Sequence, residues 1–271
     1  MVSFLSRFQL FSLLFAFGIP FFGPPAAETP VESPEPVQAV SPTPTNRVDT
    51  FSAHGLSSPY RLYAEDVDFN KPVRLIVRLH GDGAYEYDDP SYRLDDYAAI
   101  AKKHNAVLVA PRTPDYAGHP TWWENSSVNA SWLESLVTDE LLPEFGLAVE
   151  DVVWSGYSGG AEILGATIIP SYPELAQNQV VMKGGGNAPA ETSLRDEANE
   201  PDTVGTLYFV TGANDDGSQF NQRFNALEAA QSGAEFYRQR GYDVIEEYPN
   251  GVDHYSLDQA AILDRALSSS R

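Results

Sequence analysis
Residues 151–168 read DVVWSGYSGGAEILGATI, and the middle of this stretch decides the fold. Asp151-Val152-Val153-Trp154-Ser155 is apolar and β-branched, the make-up of a buried strand. Gly156-Tyr157-Ser158-Gly159-Gly160 follows as a turn, and a helix is expected from about Gly160 to Ile168. A G-x-S-x-G run between a strand and a helix makes a sharp elbow. The serine at its apex needs a strained backbone, so residues two positions either side must be tiny. The turn lifts the Ser158 hydroxyl above the sheet. The helix behind it offers unsatisfied N–H groups that favour developing negative charge.

Working outward, strands and helices alternate. Val73 to Leu79 is a strand that ends at His80-Gly81-Asp82-Gly83, and Tyr92 to His104 has apolar residues at helical spacing. Ala106 to Ala110 is a short apolar strand closed by Pro111, and Ser131 to Phe145 carries a helical stripe. Gln179 to Lys183, Thr206 to Thr211 and Asp243 to Tyr248 are further strands, with helices over Asn221 to Arg240 and Leu257 to Leu267. Phe51 to Ala64, including Tyr60-Arg61-Leu62-Tyr63, has the alternation of an antiparallel edge hairpin. The expected class is α/β: a mostly parallel sheet with helices on both faces and no large lid domain.

A serine hydroxyl is a weak nucleophile unless a base takes its proton and a carboxylate orients that base. Around an elbow of this kind the chain order is serine, acid, histidine. Of His54, His80, His104, His119 and His254, only His254 follows Ser158. The acid is expected in Gly212-Ala213-Asn214-Asp215-Asp216-Gly217, after the strand that starts at Thr206. Asp215 is the choice and Asp216 the alternative. The N–H groups of Gly159 and Asp82 are expected to form an oxyanion hole, with His80 bracing the Asp82 loop. Trp122, Trp123 and Tyr157 are candidate substrate contacts, although aromatic residues more often serve packing.

Elbow, acid loop, final histidine and His80-Gly81-Asp82-Gly83, in this order, resemble the α/β-hydrolase superfamily. Tyr60-Arg61-Leu62-Tyr63, Trp122-Trp123 and Val153 to Gly160 resemble its secreted esterase and polyhydroxybutyrate-depolymerase-like group, which includes feruloyl and acetylxylan esterases. The resemblance runs over about residues 51 to 268. It implies a secreted serine ester hydrolase working through an acyl-enzyme, with no metal and no cofactor. Acylated polysaccharides or polyesters are then candidate substrates. A peptidase or acyltransferase on the same scaffold, or a non-catalytic tethered binding module, are the alternatives. Two residues depart from the group's pattern: Gly159 stands where asparagine is frequent, and Glu162 where small or apolar residues are usual. Glu162 is expected to point away from the site, into solvent or onto a polar partner.

Composition narrows the partners. The 271 residues hold 17 basic and 38 acidic side chains, a net charge of −21, and no cysteine. Disulfides, thiolate metal sites and cysteine nucleophiles are excluded. Phosphate backbones are repelled, so nucleic acid is not an expected partner. Asp66-Val67-Asp68-Phe69-Asn70 lacks the glycine and glutamate of a calcium loop, and Gly184-Gly185-Gly186 lacks the pattern of a phosphate loop.

At the start of the chain, Arg7, an apolar run over Phe8 to Phe17 and Pro25-Ala26-Ala27 match an export signal over residues 1–27, with an uncleaved membrane anchor as the alternative. Residues 28–45 are proline-rich and poor in large apolar side chains, the composition of an extended disordered spacer. The hydrolase body is assigned to residues 46–271, outside the cytoplasm.

Overall fold
The computed structural model describes residues 45–115, 118–190, 205–218 and 224–269. The leader, nearly all of the spacer and most of the segment between Asn187 and Gly205 lie outside the described residues. In chain order the elements are β1 (Arg47–Ala53), β2 (Leu56–Tyr63), β3 (Arg74–Leu79), α1 (Tyr85–Asp88), α2 (Pro90–Lys103) and β4 (Ala106–Pro111). A helical run follows: α3 (Ser126–Ser135), a π-helical stretch (Leu136–Leu141) and α4 (Leu142–Phe145). Next come β5 (Val152–Tyr157) and a second run of α5 (Gly159–Ile163), a π-helical stretch (Leu164–Ile168) and α6 (Ile169–Ser171). The chain closes with β6 (Gln179–Lys183), β7 (Thr206–Val210), α7 (Ala226–Gln239), β8 (Asp243–Glu247) and α8 (Gln259–Ser268).

The eight strands form one sheet in the order β1-β2-β4-β3-β5-β6-β7-β8. β2 runs antiparallel to both neighbours, and all other pairs are parallel. Parallel strands buried on both faces need mostly apolar side chains, and β3, β4, β5 and β6 supply them apart from buried Arg78, Ser155, Gln179 and Lys183. Alternate residues feed two cores. Leu75, Val77, Trp154, Val180 and Phe209 pack with Trp132, Leu136, Ile163 and Tyr237 on one face. Ile76, Leu108, Val153 and Val181 pack with Tyr97, Leu263 and Leu267 on the other. Helices therefore cover both faces, as the alternating sequence requires.

The elements depart from sequence expectation mainly at their ends. β5 runs to Tyr157, up to the apex serine, and α7 begins at Ala226. The π-helical stretches in both long helices have no signature in apolar spacing. Placement of the site follows from topology: β3, β5, β7 and β8 all end at the same edge of the sheet, so the loops after them meet there.

Candidate active site
Ser158 sits between β5 and α5 with φ 50° and ψ −119°, a conformation rare for a residue with a side chain. Its glycines explain how the turn closes. A Cβ on Gly156 would lie 2.3 Å from the Gly160 carbonyl oxygen, and one on Gly160 2.6 Å from that of Leu79. The Ser158 N–H donates to the Lys183 carbonyl at 2.9 Å, which ties the apex to β6.

Three loops bring the expected side chains together. Ser158 Oγ is 3.0 Å from His254 Nε2, and His254 Nδ1 is 2.6 Å from Asp215 Oδ2. Asp215 is buried, at 2 % exposure, whereas Asp216 faces solvent and accepts from the Ser218 N–H. Of the two, Asp215 is the one that lies against His254. Tyr157 donates its hydroxyl to the His254 carbonyl at 2.8 Å and lays its ring 5.0 Å from the imidazole. Burial pushes its phenol well above the usual range, so it remains a donor.

The loop after β3 is held from beneath. His80 is fully buried, and burial takes its imidazole down to about 4. Its Nε2 accepts from the Thr113 N–H at 3.0 Å, so Nδ1 carries the proton donated to the Gly81 carbonyl at 2.6 Å. The Gly81 N–H donates to Glu86, which also pairs with buried Arg78 at 3.1 Å. Behind the elbow, buried Lys183 donates to Tyr97 Oη at 2.7 Å and to Ser155 Oγ at 2.5 Å. Burial holds its ammonium well below the ordinary lysine range.

Neither the Gly159 amide nor the Asp82 amide has an acceptor among the described residues. The Asp82 carboxylate crowds the same place: a Cβ on Gly159 would lie 2.1 Å from its Oδ1. That carboxylate accepts from Thr121 Oγ1 at 2.7 Å and from Trp123 Nε1 at 2.9 Å.

A cleft of about 610 Å³ opens beside Ser158, walled by Trp123, Ile163, Thr167, Phe224 and Tyr255. Of the aromatic candidates, Trp123 reaches it, half exposed. Trp122 does not. It is fully buried, donates to the His80 carbonyl at 3.1 Å and packs on the His80 ring. Tyr157 is likewise absent from the cleft wall, because its hydroxyl and ring are committed to His254. Glu162 reaches a polar partner, as expected, but does not leave the cleft. Its Oε1 accepts from the Gly186 N–H at 2.7 Å, yet the side chain lines the cleft, and burial raises its carboxyl above the usual value.

Sequence reasoning missed the part played by Gly184–Gly186. All three have positive φ; Gly184 approaches the His254 ring, and Gly185 the Glu162 carboxylate. Three adjacent glycines after a strand were the available signal. Among the described residues, no group of three or more His, Cys, Asp or Glu residues is arranged to hold a metal ion. Among them, too, no helix is long and apolar enough to cross a membrane.

The sheet order and helix placement define the α/β-hydrolase fold. The solved structures it resembles include esterases and a poly(aspartic acid) hydrolase from Sphingomonas sp. KT-1, the latter with a TM-score of 0.58 at 14 % identity over 84 % of this chain and 98 % of that one. A carboxylesterase from Mesorhizobium loti superposes with a TM-score of 0.58 at 18 % identity, over 81 % of this chain and 99 % of that one. A ferulic acid esterase from Anaeromyces mucronatus, in complex with ferulic acid, gives 0.57 at 16 %, over 86 % and 92 %. A thermostable esterase gives 0.55 at 18 %; this chain matches over 83 % of its length and spans 63 % of that protein. No protein-family profile and no curated protein matches the chain by sequence.

Proposed function
We propose that the chain is a serine ester hydrolase acting through an acyl-enzyme. The observation that carries this reading is the hydrogen-bonded line Ser158–His254–Asp215, at 3.0 and 2.6 Å, on an elbow that opens into a cleft. Ser158 Oγ attacks the ester carbonyl while His254 Nε2 takes its proton. Asp215 holds the imidazole in the tautomer that presents a bare Nε2 and stabilises the imidazolium that forms. Negative charge gathers on the carbonyl oxygen, which the Gly159 and Asp82 amides receive; each such donor contributes about 3 kcal/mol at the transition state. The alcohol leaves with the proton from His254. Water, deprotonated by the same imidazole, then releases the acid and restores Ser158.

In this reading, residues 1–27 direct export, 28–45 are a proline-rich tether and 46–271 carry the catalytic body. N-terminal sequencing of exported protein separates a cleaved leader from an anchor. Ser158→Ala tests the chemistry: turnover of a short p-nitrophenyl ester should drop at least about 10⁴-fold, with covalent fluorophosphonate labelling lost. Unchanged turnover ends the proposal.

A further inference from the structure
The cleft beside Ser158 carries two carboxylates. Asp82 and Glu162 both line it, and among the described lining residues there is no lysine or arginine. An aromatic ring lies near each carboxylate. Trp123 Nε1 donates to Asp82, and a Cβ on Gly185 would touch both Glu162 Oε1 at 2.6 Å and the Phe224 ring tip at 3.4 Å. Tyr255, largely exposed, lines the same cleft. Among the described residues the donors that reach these carboxylates are neutral, namely a hydroxyl, an indole and the Gly186 and Asn187 backbone amides, so no described cation offsets either charge.

This arrangement works against a neutral ester. Asp82 Oδ1 lies against Gly159, whose amide is to receive the oxyanion, and negative charge so near raises the barrier. A hydroxyl-rich substrate would hydrogen-bond to the carboxylates but leave the charge in place. An anionic substrate would add to it. A cation resolves both problems, and aromatic faces beside carboxylates in a partly desolvated cleft form a site for one. The net charge of −21 draws cations toward the molecule as well.

We propose that the cleft takes esters bearing an ammonium group, with Asp82 and Glu162 as charge partners and Trp123, Phe224 and Tyr255 as the surrounding rings. This inference rests on the serine-hydrolase reading and names its substrate class. The substrate's own cation offsets the carboxylate field as the oxyanion forms, so its benefit falls on kcat as well as KM.

Two pairs of equal-shaped esters test it. One is p-nitrophenyl 4-(trimethylammonio)butanoate against p-nitrophenyl 5,5-dimethylhexanoate. The other is 2-(trimethylammonio)ethyl acetate against 3,3-dimethylbutyl acetate. In each, a quaternary nitrogen replaces a quaternary carbon. The cationic member of at least one pair should lead by about tenfold in kcat/KM, and by less in high salt. Glu162→Gln keeps the side-chain volume and an acceptor for the Gly186 amide, and should cut that ratio several-fold. A ratio below about threefold in both pairs, with the neutral esters hydrolysed, overturns the inference and leaves the hydrolase reading standing. A preference that survives intact in both Glu162→Gln and Asp82→Asn overturns the assignment to these carboxylates. Failure to hydrolyse any of the four esters also overturns it, and fluorophosphonate labelling of Ser158 then shows whether the hydrolase reading falls too.

Discussion

The Tyr157 hydroxyl donates to the main-chain carbonyl of His254 at 2.8 Å, so the residue before the proposed nucleophile steers the residue proposed as its base. The two rings also lie 5.0 Å apart, tilted by 31°. Tyr157 is therefore a positioning residue. Tyr157→Phe keeps the ring contact and removes the donor, leaving a carbonyl unsatisfied. Stability should fall by about 1 kcal/mol. The kcat for a short ester should drop about three- to tenfold with KM nearly unchanged, because alignment and not binding is lost. A variant with a raised KM and an intact kcat would contradict this role.

Asp215 and Asp216 are adjacent in sequence and opposite in environment. Asp215 is buried on His254 Nδ1, and Asp216 caps a turn through the Ser218 N–H. Asp215→Asn keeps the shape but favours the wrong imidazole tautomer, so kcat should fall by about 10³- to 10⁴-fold. Asp216→Asn should remain within about twofold of the parent, since exposed substitutions of this kind cost little. Steady-state kinetics of the pair decide it, and equal losses would remove Asp215 from the mechanism.

What could be read from the sequence was whatever local sterics or chain order dictates. Gly156 and Gly160 announce the elbow because no Cβ fits beside the backbone they touch. His254 follows because no other histidine lies downstream of Ser158. Side-chain direction was not legible. Trp122 and Trp123 are neighbours, yet one is sealed beneath His80 and the other stands half exposed over the cleft, a split set by how the loop passes over β3. For Glu162 a polar partner was expected, but neither its identity nor the side chain's place in the cleft wall was legible, because the Gly186 amide it accepts from lies 24 residues away and after another strand. The buried cluster of Arg78, Glu86, Lys183 and Tyr97 was equally hidden, since its members come from four separate elements.

The elbow glycines separate two kinds of cost. A methyl at position 156 would press on the backbone of Gly160 and Ala161, neither of which can rotate away. Gly156→Ala should therefore cost about 3 kcal/mol or more, read from urea unfolding. Gly55, in the β1–β2 turn with φ 77°, has nothing within 4 Å of an added Cβ. Gly55→Ala meets only the backbone preference and should cost about 1 kcal/mol. Similar losses at the two positions would show that the tight approach at Gly156 is not what fixes the turn.

Glu162 supplies a test in which pH fixes the sign. Burial raises its carboxyl in the folded protein above the usual value of 4.5, and the nearby Asp82 charge acts in the same direction. Below 4.5 the group is protonated in both folded and unfolded chains, and its ionisation contributes nothing to stability. Between 4.5 and the raised value, the folded protein holds a proton that the unfolded chain has released, so stability declines as pH rises through that window. Above it, the charged carboxylate carries its full burial penalty. Glu162→Gln has no such charge and can still accept from the Gly186 N–H. Its thermal midpoint should match the parent near pH 4 and exceed it by a growing margin up to a plateau toward pH 8. Because both proteins share every other titrating group, the difference between their midpoints isolates this one. A difference that stays flat, or that turns in favour of the parent at high pH, would mean that the Glu162 carboxylate is stabilised where it sits and needs no cation from a substrate.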